Sequence, residues 1–211
     1  MESVLEFKHI SKYFPGVKAL DDICFKAYGG EVLAFLGENG AGKSTLLKVL
    51  NGDYKPDAGE YLLNGEQKHF KSPQEAIEEG ISVIYQERQI LLELSVAENI
   101  YLGRMPSNRF GVINTAKANQ MAQKIIEDFG LPISPSTKVK DLSIAYQQMV
   151  EIMKAYSRDN LKVICFDEPT ASLSDAEIDS LFAVIEKLKA QGKIVIYVSH
   201  RMDEIRRITD K

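Results

Sequence analysis

The chain reads as an α/β protein, with a core of mostly parallel sheet, an N-terminal antiparallel β lobe and an inserted helical subdomain. Three observations predict this class. Apolar runs of strand length alternate with segments of helical pattern, the order that builds parallel sheets covered by helices. Residues suited to binding phosphate fall at the carboxyl ends of those runs, where such sheets hold their ligands. Between about Glu87 and Asn160 the alternation stops and the texture becomes helical.

The elements follow in order. Strand-like residues at 4–8 and 23–28 precede the Gly29-Gly30 turn, and Val32-Leu-Ala-Phe-Leu36 reads as a buried strand. A helix over 45–50 follows, then the turn chemistry of Asn51-Gly52 and residues 56–59, and a strand over 60–63 ending at Asn64-Gly65. Ser72-Pro73 has serine at the cap and proline at the first helical position, so a helix starts there and stops at Gly80. A strand over 81–85 comes next. Ser95 and Glu98 have capping-box spacing. Thr115 leads a helix ending at Gly130, residues 131–141 form a loop with two prolines, and a third helix begins near Ser143. Strand character returns at 162–166. Ser174 and Glu177 form a capping box for a helix over 175–190, Gly192 ends it, and a strand spans 194–198. This assigns 1–86 and 161–211 to the α/β core with its β lobe and 87–160 to the helical subdomain. The whole of 1–211 forms one domain.

The 211 residues suffice for one sizeable core. Hydrophobic content of 45% and charged content of 27% are those of an ordinary globular protein. A formal net charge of −4 gives no support for a nucleic-acid surface. No apolar run approaches the ~20 residues of a membrane span, so any membrane connection runs through a partner. Cys24 and Cys165 sit in strand-like runs and read as buried, reduced thiols in a reducing compartment rather than as a disulfide or a metal site.

Residues 37–45, Gly-Glu-Asn-Gly-Ala-Gly-Lys-Ser-Thr, fit G-x-x-x-x-G-K-[ST] between a strand and a helix. Gly40 and Gly42 let backbone N–H groups close on phosphate oxygens, and the helix N-terminus adds partial positive charge. Lys43 reaches the β- and γ-phosphates, and the Ser44 hydroxyl holds Mg²⁺. The chain is therefore expected to bind a nucleoside triphosphate on a P-loop NTPase core. The apolar run Val163-Ile-Cys-Phe166 ends in Asp167-Glu168. Phosphoanhydride hydrolysis needs a metal-holding aspartate and a group that orients or deprotonates water, roles that suit Asp167 and Glu168 in turn. His200 follows the last strand and is positioned to hydrogen-bond a γ-phosphate or the attacking water.

The phosphate loop, Gln86, Leu142-Ser-Ile-Ala-Tyr-Gln-Gln148, the acid pair with Pro169-Thr170, and His200 occur in order and closely resemble the nucleotide-binding domain of an ABC transporter. The resemblance implies an ATPase working as a head-to-tail dimer, each ATP lying between one domain's phosphate loop and the other's Leu-Ser-Gly-Gly-Gln signature. It implies that ATP and Mg²⁺ are bound by Gly37, Asn39, Gly40, Ala41, Gly42, Lys43, Ser44 and Thr45, with Phe14 (or its neighbour Tyr13) stacking on adenine. Gln86 would contact Mg²⁺ and water and relay the nucleotide state. Ser44, Gln86 and Asp167 form the metal set, Glu168, His200 and Gln86 the catalytic set, and Ser143 would touch the partner's γ-phosphate.

Two positions depart from the pattern. Ile144 and Ala145 replace the signature's paired glycines, and Ser174 stands where an aspartate is expected. The segments Phe14-Pro-Gly-Val-Lys-Ala-Leu20, Ala97-Glu-Asn-Ile-Tyr-Leu-Gly103, Gln147-Gln-Met-Val-Glu-Ile152 and Ser199-His-Arg-Met202 further resemble bacterial monosaccharide importers, arabinose-type systems most of all. Such ATPases carry two nucleotide-binding domains in one polypeptide. This chain resembles the first and ends earlier than such domains normally do, which points to a fragment. The implied partners are a second nucleotide-binding domain, transmembrane permease subunits and, indirectly, a periplasmic sugar-binding protein, with no nucleic acid. The implied location is the cytoplasmic face of the bacterial inner membrane. The alternatives are an ATP-gated dimerisation module with little hydrolysis, or an ABC ATPase outside transport.

Overall fold

The structure, a computed structural model, describes residues 3–38, 40–171 and 173–210. It divides into two compact units. One comprises Met1–Gln86, Asn160–Ala171 and Phe182–Lys211, the other Glu87–Asp159 and Ser172–Leu181.

In the first unit, β1 (Val4–Phe14) and β2 (Val17–Tyr28) form a long antiparallel hairpin, and β3 (Val32–Phe35) leads into α1 (Lys43–Leu50). β4 (Ala58–Leu63) turns into β5 (Glu66–Lys68) through Asn64 and Gly65, whose φ angles of 56° and 81° suit a tight hairpin. These strands form an antiparallel sheet of order β2-β1-β4-β5. Residues 4–8 and 23–28 are thus the inner parts of longer strands. The register shifts between Phe7 and Ile10 and between Ile10 and Lys12, and such bulges erase the period-2 pattern by which strands are read. β5, too short and polar for that pattern, is an addition to the sequence reading.

Ser72 accepts the Glu75 N–H and Pro73 opens α2 (Pro73–Glu78), which ends before β6 (Ile81–Ile84). β7 (Val163–Asp167), the second half of α6 (Asp175–Ala190), β8 (Ile194–Val198) and α7 (Met202–Ile208) complete this unit. The second sheet is parallel, of order β3-β8-β7-β6, with every residue of β7 and β8 buried. The α/β class with an antiparallel β lobe is therefore as the sequence predicts. One hydrophobic cluster joins Leu46, Leu47 and Leu50 of α1 to Leu5 and Phe7 of one sheet and to Cys165 and Ile196 of the other. Each such fully buried side chain contributes roughly 1.5–3 kcal/mol, so the helix that opens at the phosphate loop is anchored to both sheets.

The second unit holds α3 (Val96–Ile100), α4 (Thr115–Phe129), α5 (Ile144–Tyr156) and the first residues of α6. The Ser95–Glu98 capping box forms in both directions. Asn114 caps α4, and Gly130 ends it at φ 66°. Val96, Ile100, Ala122, Ile126, Val150 and Met153 build this unit's core.

Two expectations are overturned: the run read as a buried strand over 32–36 is fully buried only at Val32 and leaves Leu36 exposed, and one of the two cysteines is exposed. Cys165 is buried, but Cys24 is exposed on β2, on the outer face between Ile23 and Phe25, which pack against the core. Among the described residues no helix is long and apolar enough to cross a membrane.

Candidate functional site

The site is built where β3, β6, β7 and β8 end. After Phe35 come residues 36–38 and then residues 40–42, with Gly40 and Gly42 at φ 88° and 87°. A Cβ on Gly42 would lie 2.3 Å from the Ala19 carbonyl oxygen, so both space and backbone demand glycine there. A Cβ on Gly40 would meet nothing within 4 Å, so the demand there is conformational alone. The loop delivers the chain into α1, which opens without a side-chain cap and without an acid in its first turn. Its leading N–H groups and positive dipole end are thereby left for an anion.

Lys43 Nζ donates to the carbonyl oxygens of Gly37 and Glu38 at 2.6 and 3.0 Å, drawing the loop around the ammonium group. Ala41 N–H closes the loop's turn onto Glu38 O at 3.1 Å. Ser44 Oγ donates to Asp167 Oδ2 at 3.4 Å, across the gap between α1 and β7. Burial pushes the Asp167 carboxyl above its usual range; the Ser44 hydrogen bond opposes this, the Glu168 charge adds to it, and Lys43 opposes it. Two hard oxygen donors brought together in this way match a small divalent cation.

Lys43, Ser44, Thr45, Gln86, Asp167 and Glu168 line one cavity of about 600 Å³, with the Gly40 and Gly42 backbone on the same wall. That volume lies within the range of small-molecule sites. Phe14, at the end of β1, lines its far side, partly exposed and edge-on to Tyr54 at 5.3 Å. Tyr13 instead sends its hydroxyl to Asp21 at 3.3 Å, so Phe14 is the aromatic that faces the cavity.

Glu168 adopts φ 47°, an unusual backbone conformation for a non-glycine residue, held by its N–H donating to Val198 O at 2.9 Å. Its Oε1 lies 3.2 Å from His200 Nδ1, so the ends of β7 and β8 present an acid and an imidazole as a pair. Behind them the buried Glu204 carboxylate accepts from the Thr170 hydroxyl (2.7 and 2.8 Å), Tyr197 (3.0 Å) and Ser199 (3.2 Å), and pairs with Arg201 at 2.6 Å. This network ties the segments that carry Glu168 and His200.

Gly37 and Ala41 shape the loop without lining the cavity, and Asn39 lies outside the described residues. Ser143 belongs to the second unit, where it caps α5 and donates to Glu177 Oε1 at 3.4 Å. Glu177 is itself held by the Ser174 N–H and hydroxyl at 2.9 and 2.8 Å. Next to Ser143, Ile144 is 45% exposed and Ala145 buried. Val17 and Ala19 also line the cavity. Small and apolar, they carry no chemical signal, and only their position just past the Phe14-Pro-Gly turn could have suggested them.

A family model described as ABC transporter matches residues 20–171, more than half of the chain. The chain belongs to the ABC transporter family. Arabinose import ATP-binding protein AraG of Mannheimia succiniciproducens is 51% identical over 207 residues, covering 98% of this chain and 41% of that relative. The protein of the same name from Escherichia coli O6:K15:H31 is 50% identical over 206 residues, covering 98% of this chain and 40% of the relative. The chain thus spans about two fifths of the length of these ABC relatives. A nucleotide-free ATP-binding cassette from an ABC transporter superposes with a TM-score of 0.84 at 30% identity, covering 100% of this chain and 86% of that one. The ADP conformation of an ABC transporter cassette matches at the same TM-score of 0.84 and 30% identity, covering 85% of its own chain.

Proposed function

We propose that this chain binds and hydrolyses ATP as the first nucleotide-binding domain of a bacterial importer of a monosaccharide of the arabinose type. The observation that carries this reading is the single cavity that joins Lys43, Ser44 and Gln86 to the Asp167-Glu168 pair, with Glu168 3.2 Å from His200. The half-identical relatives named for arabinose import supply the choice of transport substrate.

In this reading Phe14 stacks on adenine, and the backbone N–H groups of residues 40–45 receive the phosphates. Lys43 exchanges its loop carbonyls for phosphate oxygens, a charge-assisted replacement. The Ser44 and Asp167 oxygens, with the Gln86 amide, fit Mg²⁺, which bound there would neutralise charge on the β- and γ-phosphates. Glu168 orients the attacking water and takes its proton, while His200 holds Glu168 and donates toward the γ-phosphate. The partners are a second nucleotide-binding domain that supplies the closing signature, permease subunits and, through them, a periplasmic sugar-binding protein. The domain would work at the cytoplasmic face of the inner membrane.

Glu168→Gln in the polypeptide carrying both nucleotide-binding domains tests this. ATP binding should persist while steady-state hydrolysis and arabinose uptake fall by about 100-fold or more. If most hydrolysis remained, the assignment of Glu168 would be wrong.

A second reading concerns this chain's own signature. Glu177 beside Ser143 puts a carboxylate where a partner's γ-phosphate would approach, and the exposed Ile144 crowds the same place. The composite site completed by Ser143 therefore holds nucleotide and turns over little, and the competent site is the one built on Lys43. Single-turnover assays on this chain, with and without the second domain, separate the two.

A further inference from the structure

The bulged antiparallel sheet brings three metal-ligating side chains to one exposed patch, none of them lining the phosphate-loop cavity. Between the pairs Phe7–Phe25 and Ile10–Ile23, β1 carries one residue more than β2; between Ile10–Ile23 and Lys12–Leu20, β2 carries the extra one. His9 and Asp22 lie in these bulges at φ 55° and 57°, the left-handed region that Asp and His tolerate better than most residues. His9 Nδ1 and Asp22 Oδ1 stand 2.6 Å apart, and the His9 backbone N–H donates to Cys24 Sγ at 3.1 Å. One ligand atom from each of His9, Asp22 and Cys24 lies within 4.8 Å of the others, the one such grouping among the described residues, and all three are exposed.

We propose that His9, Asp22 and Cys24 form a surface Zn²⁺ site with its fourth position open to water. The donor set decides the ion. A nitrogen, a carboxylate oxygen and a thiolate together suit borderline-soft Zn²⁺, whereas Mg²⁺ and Ca²⁺ demand oxygen throughout. With Zn–N and Zn–O near 2.0–2.2 Å and Zn–S near 2.3 Å, tetrahedral ligand atoms lie roughly 3.5 Å apart, within reach by side-chain rotation from the present spacing. Asp22 and Cys24, two residues apart on β2, share a face by alternation, and the extra residue on β1 between Phe7 and Ile10 turns His9 to that same face. Binding releases the Cys24 thiol proton to solvent, while the neutral His9 ring carries its single proton on the nitrogen that does not face the ion.

Titration of the purified chain with Co²⁺, then Zn²⁺, tests the site. One equivalent of Co²⁺ should give thiolate-to-metal charge-transfer absorption, Zn²⁺ should bleach it, and protons should be released. Cys24→Ser should abolish the band. His9→Asn and Asp22→Asn, which suit the left-handed backbone, should each weaken Zn²⁺ binding by about tenfold or more. Circular dichroism and ATP binding should be unchanged in all three, because none of these residues touches the cavity. Absence of a charge-transfer band, or Zn²⁺ binding undiminished by Cys24→Ser, would overturn the proposal.

Discussion

His200 Nδ1 lies 3.2 Å from Glu168 Oε1, and the two residues cap adjacent parallel strands. With the roles proposed above for Glu168 and His200, the shared contact makes their contributions to turnover interdependent. In the two-domain polypeptide proposed above, Glu168→Gln and His200→Ala should each lower kcat by about 100-fold or more. The double variant should fall far short of the product of the two losses. Steady-state kinetics of all four forms checks this; multiplicative losses would mean the residues act separately.

The two positive-φ glycines of the loop should respond differently to alanine. Gly42→Ala drives a methyl group against the Ala19 carbonyl, so the loop must shift and nucleotide binding should be lost. Gly40→Ala adds only backbone strain, about 1–2 kcal/mol, and should leave the fold intact with weakened binding. Thermal melting together with nucleotide titration distinguishes them.

Glu151 gives the second unit a pH dependence. Burial raises its carboxyl to about 7; the Gln89 N–H, Lys154 and Arg88 hold it down only in part, and Oε2 has no hydrogen-bond partner among the described residues. Below the ordinary carboxylate range the acid is protonated in both folded and unfolded chains and costs nothing. As pH rises from the reference 4.5 toward 7 the unfolded chain ionises first, and stability on the order of 3 kcal/mol is lost. Glu151→Gln should remove this slope, so its gain over wild type in urea denaturation is small near about pH 5 and large near about pH 8.

Glu204 satisfies three hydroxyls and Arg201 from a buried position. Glu204→Ala should destabilise the chain by about 3–5 kcal/mol, because the donors lose their common acceptor in a dry site. Glu204→Gln keeps the shape and an acceptor, and should cost less. Denaturant midpoints of the two variants measure the difference.

The parts of the fold that depend on local signals were legible in the sequence. β7 and β8, buried along their whole length, read as apolar runs, and Ser72-Pro73 and the Ser95–Glu98 box announced their helices. The extent of β1 and β2 was hidden because bulges at His9 and Asp22 break the alternation, and the apolar neighbours Ile23 and Phe25 masked the outward face of Cys24. Of the cavity, the charged and glycine positions were legible because phosphate chemistry restricts their types. Val17 and Ala19 were not, since any small apolar residue could stand there. The Glu204 network joins partners up to 34 residues apart, a separation at which a single sequence carries no pairing signal.

Because one carboxylate grips both Thr170 and Ser199, the acid and the imidazole leave the sheet as a single mechanical piece. A tilt of either strand end is shared by the other, so their mutual spacing survives motions of the surrounding loops. What can vary is the distance of that piece from the phosphate loop. In the hydrolysis proposed above, the two groups would approach the substrate together, along one coordinate, rather than arrive independently.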